Sequence, residues 1–248
     1  SAEELFEFTE LAKKDINACA ILTNDITVNE IEFDNAGNPT REDFKEWIPI
    51  GNDSVAYNGT FDGANHAIRG IYLVNTKLDY IGLFSHIDSL GVVKNLTIKD
   101  SYIKGHQFNG FVCGHNKGTI KNCRNYGTIG YANDYSGGIV GLNEKDVLSC
   151  VNYGQITAEG GICGMNKGMI SECTNYGDVS TGNYFAGICG TQKEGTISKC
   201  LNYGSIGFKS NSCTYIAGIC GEMDNGSIIN CLNAGIINKK NSYIAGIC

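Results

Sequence analysis

The chain has 248 residues, of which 33 are glycine and only 2 are proline, and its formal net charge is −7. It contains no apolar run of about 20 residues, so no segment is expected to insert into a membrane. Lysine and arginine do not cluster anywhere, which argues against nucleic acid or an anionic membrane surface as a partner.

Residues 1–46 are predicted to form an N-terminal cap that begins with a helix over residues 2–14. Ser1 and Glu4 have the spacing of a capping box. The apolar face of the helix is expected to comprise Leu5, Phe6, Phe8 and Leu11. Its polar face is acidic rather than basic, which favours a cap over a membrane-bound helix.

The rest of this segment is expected to contain a first strand near residues 18–28 and then a polar loop. Of the 26 acidic residues, 14 lie in the first 62 positions, so this part differs in composition from the remainder of the chain. Because the chain starts at Ser1 rather than at methionine, a signal segment is expected to have been removed.

One phrase recurs through the rest of the chain, G-x-I-x-x-C-x-N-Y-G-x-I, followed by a polar stretch and then G-I-C-G. Self-similarity at a fixed period indicates the architecture before any local pattern does. The residues that lead each repeat are apolar: Ile68, Val93, Ile120, Val147, Ile170, Ile197 and Ile228.

These repeats predict a right-handed parallel β-helix over residues 47–248, with about seven to eight coils and about three short strands in each. The segments are rich in Ile, Val, Tyr and Thr and are separated by Gly and Asn, as strands and turns are. No repeat has a helical apolar stripe, and a propeller blade needs about 40 residues. The predicted fold is therefore all-β with an N-terminal α-helical cap.

Two residue types are predicted to stack from coil to coil as structural ladders. The cysteine three residues after each lead residue is expected to face the interior: Cys123, Cys150, Cys173, Cys200 and Cys231. The asparagine two residues later is expected to bond to its counterparts in neighbouring coils: Asn125, Asn152, Asn175, Asn202 and Asn233. The glycine two residues after each asparagine, such as Gly127, is expected to have positive φ.

A second set of cysteines lies in the Gly-Ile-Cys-Gly segments: Cys113, Cys163, Cys189 and Cys220. Strict strand alternation places either the Ile or the Cys inside, and Ile is favoured because that position is always apolar. The cysteines are expected to be mostly free buried thiols. Disulfides between the two sets, such as Cys163 with Cys173, are the alternative.

No metal or other cofactor is predicted. Cys113, His115 and Cys123 offer zinc-type ligands, but the other coils replace His115 with other residues. Asp62 and His66 allow a carboxylate–histidine pair, although the Asp-Gly and Asn residues around them favour a turn.

The chain is predicted not to be an enzyme. Acidic residues of the repeats, such as Glu144, Glu172 and Glu222, occupy different positions instead of stacking on neighbouring coils, as a carboxylate site requires. A carbohydrate-active β-helix enzyme, either a polysaccharide lyase or a hydrolase, remains the alternative, because acids can meet across coils in ways that a sequence does not reveal.

Two rows of aromatic residues are candidate binding residues. The first comes directly after the ladder asparagines: Tyr126, Tyr153, Tyr176 and Tyr203. The second precedes the Gly-Ile-Cys-Gly segments: Phe108, Tyr135, Tyr184, Tyr215 and Tyr243. If these rings face outward they form a strip that stacks on sugars or contacts a protein. The alternative is that they only pack over neighbouring corners.

The chain resembles the GLUG-motif repeat proteins over about residues 47–248. The resemblance is carried by Y-x-G-x-F-D-G-x-x-H-x-I at residues 57–68, Y-I-G-L-F at 80–84 and G-T-I-K-N-C at 118–123. Members are surface or secreted proteins of gut bacteria, and some belong to immunoglobulin A-cleaving metallopeptidases. The resemblance implies a non-catalytic β-helical stalk or adhesion region. The cysteine in Gly-Ile-Cys-Gly departs from the family, which more often has a small or aliphatic residue there.

Together these observations predict an extracellular bacterial cell-surface or secreted module that acts in adhesion, ligand binding or as a scaffold. Its expected partner is a host or bacterial surface protein or a glycan. A substrate-recognition region of a larger surface protease is a further alternative. The sequence stops at Cys248 within a repeat, so either the array continues or the last coil is open to end-to-end association.

Overall fold

The computed structural model describes residues 1–130, 135–180, 183–207, 215–238 and 243–248. Within them the helix Ala2–Lys14 is followed by short parallel strands that stack from turn to turn. The predicted parallel β-helix with an N-terminal helix is therefore confirmed. No helix in these ranges is long and apolar enough to cross a bilayer.

Three parallel sheets run along the molecule, here named the lead, amide and third sheets. The lead sheet has the strands Ala20–Ile21, Thr60–Asp62, Val92–Lys94, Thr119–Lys121, Asp146–Leu148, Met169–Ser171, Thr196–Ser198 and Ser227–Ile229. The amide sheet has Ile26–Thr27, Ala67–Arg69, Thr97–Lys99, Arg124–Asn125, Val151–Asn152, Thr174–Asn175, Leu201–Asn202 and Leu232–Asn233. The third sheet has Phe84–Ile87, Cys113–Asn116, Val140–Asn143, Cys163–Asn166, Cys189–Gln192 and Cys220–Met223.

Two shorter sheets lie between the amide and third sheets along the chain. One comprises Tyr72–Val74, Tyr102–Lys104 and Thr128–Ile129, and the other comprises Tyr184–Ala186, Tyr215–Ala217 and Tyr243–Ala245. In the described ranges, 6 turns contribute a strand to the third sheet as well as to the lead and amide sheets. The solenoid therefore has about six complete turns, slightly fewer than the seven to eight predicted.

The register of the first turns also differs from the prediction. Phe61 pairs with Val93 in the lead sheet, whereas Ile68 pairs with Ile98 in the amide sheet. The lead position before Val93 is thus occupied by Phe61, not by Ile68. The average repeat spacing failed here because a longer turn follows Asp62, whose Oδ1 accepts a hydrogen bond of 2.9 Å from the Ala64 N–H.

The corner between the lead and amide sheets, not the glycine after the asparagine, carries the left-handed backbone. The second residue of this corner has φ between 51° and 58° in successive turns: Asn95, Asn122, Ser149, Glu172, Lys199 and Asn230. Gly127 and its equivalents do not have positive φ, so that prediction is wrong. They are needed for close packing instead, because a Cβ on Gly154 would collide with the Gly127 carbonyl oxygen.

The helix covers the N-terminal end of the core. Its capping box forms as predicted, with the Glu4 N–H donating to Ser1 Oγ at 3.3 Å. The Phe6 ring lies 5.3 Å from Trp47, and the Phe8 ring lies 5.7 Å from Phe61. Aromatic contacts of this kind add to the burial of apolar area, so the helix shields the first turns from water.

Two details of this segment differ from prediction. Leu11 is half exposed instead of buried, because the helix turns Leu5, Thr9 and Ala12 towards the core. In place of the single strand predicted near residues 18–28, two short strands pair with the lead and amide sheets.

Candidate functional site

The predicted asparagine ladder forms in the interior of the amide sheet. Each Nδ2 donates to the Oδ1 of the next asparagine at 2.8 Å, from Asn125 through Asn233. Each Oδ1 from Asn125 to Asn175 also accepts from the N–H of the glycine two residues on, as Gly127 donates to Asn125 at 2.8 Å. The column therefore satisfies buried polar groups that would otherwise be costly.

A second amide column, in the third sheet, was missed by sequence reasoning. Asn116, Asn143, Asn166 and Gln192 form the same chain of side-chain hydrogen bonds, each 2.8 Å long. Its signal was present, because an amide recurs three residues after the second cysteine position. The repeated phrase G-x-I-x-x-C-x-N-Y-G-x-I contains only the asparagine that precedes tyrosine, so it did not predict this second column.

The cysteines of both sets form columns and are buried, apart from Cys231, which is partly exposed. In the first, the Cys150 N–H donates to the sulfur of Cys173 at 3.4 Å. In the second, Cys163 pairs in register with Cys189, and Cys189 with Cys220. All 11 cysteines in the described residues are free, and Cys213 lies outside them. Burial raises the pKa of Cys150 and Cys173, so these thiols stay protonated and unreactive.

In the Gly-Ile-Cys-Gly segment, Ile188 and the adjacent Cys189 both face the interior. Both are fully buried in the core, so the choice of Ile is confirmed and Cys joins it. The N–H groups of both residues donate to one carbonyl oxygen, that of Ile219, at 3.3 and 2.9 Å. This shared acceptor marks a bend where alternation is suspended, so consecutive side chains point the same way.

Asp62 and His66, the candidate carboxylate–histidine pair, each have a different partner in the structure. Asp62 caps its own turn and lies 3.3 Å from Lys94, while His66 lies 3.4 Å from Asp25. The turn interpretation of Asp62 and His66 is thus confirmed. No group of three or more His, Cys, Asp or Glu side chains in these ranges is arranged to hold a metal ion.

Acidic residues at the exposed corners pair with lysines. Glu144 lies 3.5 Å from Lys167, and Glu172 lies 3.3 Å from Lys199. Pairs at such exposed corners are solvated and contribute little to stability.

The first tyrosine row is a continuous outer column. Tyr126, Tyr153, Tyr176 and Tyr203 stack with ring centroids 4.5, 5.0 and 5.2 Å apart and planes within 9° of parallel. Each residue is 42–47% exposed. Because each ring covers the face of its neighbour, the two middle tyrosines present ring edges and hydroxyls to solvent. A sugar ring therefore has no free face to stack on at these positions.

The second aromatic row is interrupted. Tyr80, Phe108 and Tyr135 form one stack with spacings of 4.9 and 5.1 Å. Tyr184, Tyr215 and Tyr243 form another with spacings of 5.3 and 5.1 Å. The turn between them carries Ala158 at this position, as the register of Gly137 with Gly160 and of Gly160 with Ala186 shows. A short side chain cannot bridge the two stacks.

Comparison with known proteins places the fold more firmly than the family. No family model matches the chain. The structure is similar to the crystal structure of "a putative immunoglobulin A1 protease" from Bacteroides ovatus, with a TM-score of 0.70 and 16% sequence identity. The similarity covers 99% of this chain and 82% of the other. At this identity it shows a shared fold.

Two curated relatives match parts of the sequence. Halomucin from Haloquadratum walsbyi is 33% identical over 84 residues, which is 33% of this chain and 1% of halomucin. A protein named "Putative Gly-rich membrane protein" from Evansella cellulosilytica is 34% identical over 79 residues, which is 31% of this chain and 9% of that protein. The chain thus matches less than a tenth of the length of either relative.

Proposed function

We propose that this chain is a non-catalytic β-solenoid module of an extracellular bacterial surface or secreted protein, where it binds a partner or serves as a scaffold. The observation that carries the proposal is the division of roles within each turn. The repeated Ile, Cys and Asn columns are mostly buried, whereas the column from Tyr126 to Tyr203 is repeated and exposed. An exposed repeated feature is available to a partner in a way that the buried columns are not.

The tyrosine column suits a protein partner better than a stacked sugar. Tyrosine supplies a large contact area at low entropic cost and is enriched at binding hot spots. Here the accessible parts are ring edges and hydroxyls in a straight row, which fit an extended protein segment. A glycan held by hydrogen bonds to the same hydroxyls is the alternative outcome.

Membership of the GLUG-motif repeat proteins and an extracellular location belong to the same proposal. The motifs between residues 57 and 123 and the shared solenoid fold support the family. The names of the relatives, halomucin and a membrane protein, support a place at the cell envelope. A second candidate is the substrate-recognition region of a larger surface protease, which the fold of the B. ovatus protein favours.

The test is direct binding by the purified chain. A glycan array and surface plasmon resonance against immunoglobulin A1 and purified mucin separate glycan from protein partners. The same samples are incubated with polysaccharides and with immunoglobulin A1, and the products are analysed for new reducing or unsaturated ends and for peptide cleavage. We expect binding without cleavage.

A matched pair of variants locates the binding surface. The double variant Tyr153→Thr and Tyr176→Thr removes the centre of the column, and binding is expected to fall at least tenfold. Tyr243→Thr is the control, because Tyr243 is 71% exposed and belongs to a different stack. Unchanged binding in the double variant would remove the column from the proposal. Release of sugar ends would instead identify an enzyme.

A further inference from the structure

The outer row of side chains that contains the tyrosine column continues towards the N-terminus as two cations. Asn125 pairs in register with Ile98, so Lys99 precedes Tyr126 in this row. Lys99 in turn pairs with Arg69. The Lys99 Nζ lies 5.2 Å from the centroid of the Tyr126 ring. The column therefore begins at a cation, which is attracted to the ring face.

Two more cations lie near Lys99, and the three residues Lys99, Lys121 and Arg124 are here named the basic cluster. Lys121 ends a strand of the lead sheet and Arg124 begins the next strand of the amide sheet, so the two flank one corner. Both are exposed. Arg124 pairs in register with Thr97, which is two residues from Lys99 on the same outer face. The fold thus gathers three positive charges at one end of the tyrosine column.

The basic cluster differs from the neighbouring cations in having no acidic partner. Lys94 Nζ lies 3.3 Å from an oxygen of Asp62, and Arg69 Nη1 lies 2.8 Å from an oxygen of Asp100. Among the described residues, no carboxylate lies within ion-pair distance of the basic cluster. The chain as a whole has a net charge of −7, so the cluster is a local excess of positive charge. Such an excess attracts a negatively charged partner.

Beyond the basic cluster, the surface beside the tyrosines is uncharged. Val151, Thr174 and Leu201 follow Arg124 in register, in a row parallel to the tyrosine column. Each of these three side chains is partly exposed. The two rows together form a strip along the solenoid that is positively charged only at the end nearest the N-terminus.

We propose that the partner of the tyrosine column is an extended acidic segment of a protein. Its carboxylates contact the basic cluster, and the rest of the segment follows the edges and hydroxyls of the tyrosine rings. The inference rests on the proposed function and adds the charge of the partner. Opposite charges speed association and fix the direction in which the segment lies along the column.

Fluorescence anisotropy of a labelled peptide, titrated with the whole chain, tests the inference. The probe alternates glutamate with threonine, whose branched side chain favours an extended backbone. A second peptide has glutamine in place of glutamate. We expect only the acidic peptide to bind. Its affinity should fall when NaCl is raised to about 1 M, because the Debye length is then about 3 Å. Equal binding of the glutamine peptide would overturn the inference.

Reversal of charge locates the site. Lys121→Glu combined with Arg124→Glu alters two exposed side chains, so the fold should persist while the affinity for the acidic peptide falls by about tenfold or more. Lys77→Glu combined with Lys117→Glu is the matched control. It makes the same change in net charge at exposed residues that follow strands of other sheets. An equal loss of affinity in the control would overturn the inference, because net charge alone would then explain the binding.

Further results separate this inference from the proposed function. Binding to immunoglobulin A1 or mucin that depends on the tyrosine column, without binding of the acidic peptide, would overturn the inference and keep the column as the binding surface. Peptide binding that is lost with the basic cluster but unchanged in the double variant of Tyr153 and Tyr176 would support the cluster and contradict the role of the column. Tighter binding of hyaluronan than of the peptide would overturn the protein partner and identify an acidic glycan.

Discussion

The first turns of the solenoid are built differently from the later ones. Ile26, Ile68 and Ile98 occupy the position that Asn125 begins to fill, and Ile87 occupies the position of Asn116. The cysteine column of the third sheet likewise starts at Cys113, after Phe84. Large buried side chains crowd the N-terminal end: Trp47, Tyr57, Phe61 and Phe84.

The contrast shows what each end of a stack must accomplish. An amide column needs a partner above and below, and a terminal amide buried under an apolar helix would lose one. Isoleucine needs no hydrogen bond, so it suits turns that meet Phe6 and Phe8. Asn125 begins the amide column without loss because its Oδ1 already accepts from the Gly127 N–H.

The largest effect is expected where the aromatic end of the core is truncated. Phe61→Ala removes a fully buried ring that contacts Phe8 and Phe84 and should lower the free energy of unfolding by about 3–5 kcal/mol. Urea unfolding followed by the fluorescence of Trp47, the single tryptophan, reports on this end of the molecule. Ile21 is 65% exposed, so Ile21→Ala should change the free energy of unfolding by less than about 0.5 kcal/mol.

In the regular turns the amide column should matter next. Asn152→Ala breaks the bonds from Asn125 and to Asn175 inside the core and should cost about 3 kcal/mol by urea unfolding. Asn125→Ile is the matched comparison, because it extends the isoleucine row of Ile98 and leaves the column intact beyond it. We expect Asn125→Ile to lower the free energy of unfolding by about half as much as Asn152→Ala. Equal losses of stability in the two variants would contradict the view that the first turns accept isoleucine where the later turns need asparagine.

Acid should destabilise the first turns of the solenoid, where His86 lies. Its pKa is about 4 in the folded chain because of burial, so below the unfolded value of about 6.5 the unfolded state binds more protons. Stability is therefore full above about pH 6.5 and should fall by about 2–3 kcal/mol as the pH approaches 4. Urea unfolding measured across this pH range should show this slope in the wild type. The dependence of stability on pH should be shallower in His86→Thr. The same dependence in both proteins would be evidence against a role for His86.

The smallest effect concerns the corners of the regular turns. Lys199 has φ of 53°, which strains a residue with a side chain. Lys199→Gly should raise the melting temperature slightly, corresponding to about 0.5 kcal/mol, because relief of strain exceeds the loss of an exposed pair with Glu172. Ser198→Gly, one residue earlier in a strand, should lower it. A decrease in both variants would show that the corner is not strained.

Much of the regular region could be predicted from the sequence because each column repeats one residue type. The Asn125 and Cys123 ladders followed from spacing alone, since in-register stacking brings identical positions together. Prediction failed where repetition fails. Phe61 takes the lead position predicted for Ile68 because that turn is longer, and the second aromatic row, predicted as one row, divides at Ala158.

The sequence by itself determined the fold class, the helix over Ala2–Lys14 and the cysteine and asparagine columns that follow the lead residues. These features depend on the spacing of the repeats and on the residue types within them, both of which can be read directly from the sequence. Only the tertiary structure decided that Ile188 and Cys189 both point inward and that the outer tyrosines expose edges rather than faces. It also brought His86 within 5.2 Å of His115. Such relations are set by the bends and the spacing between turns, which no residue specifies on its own.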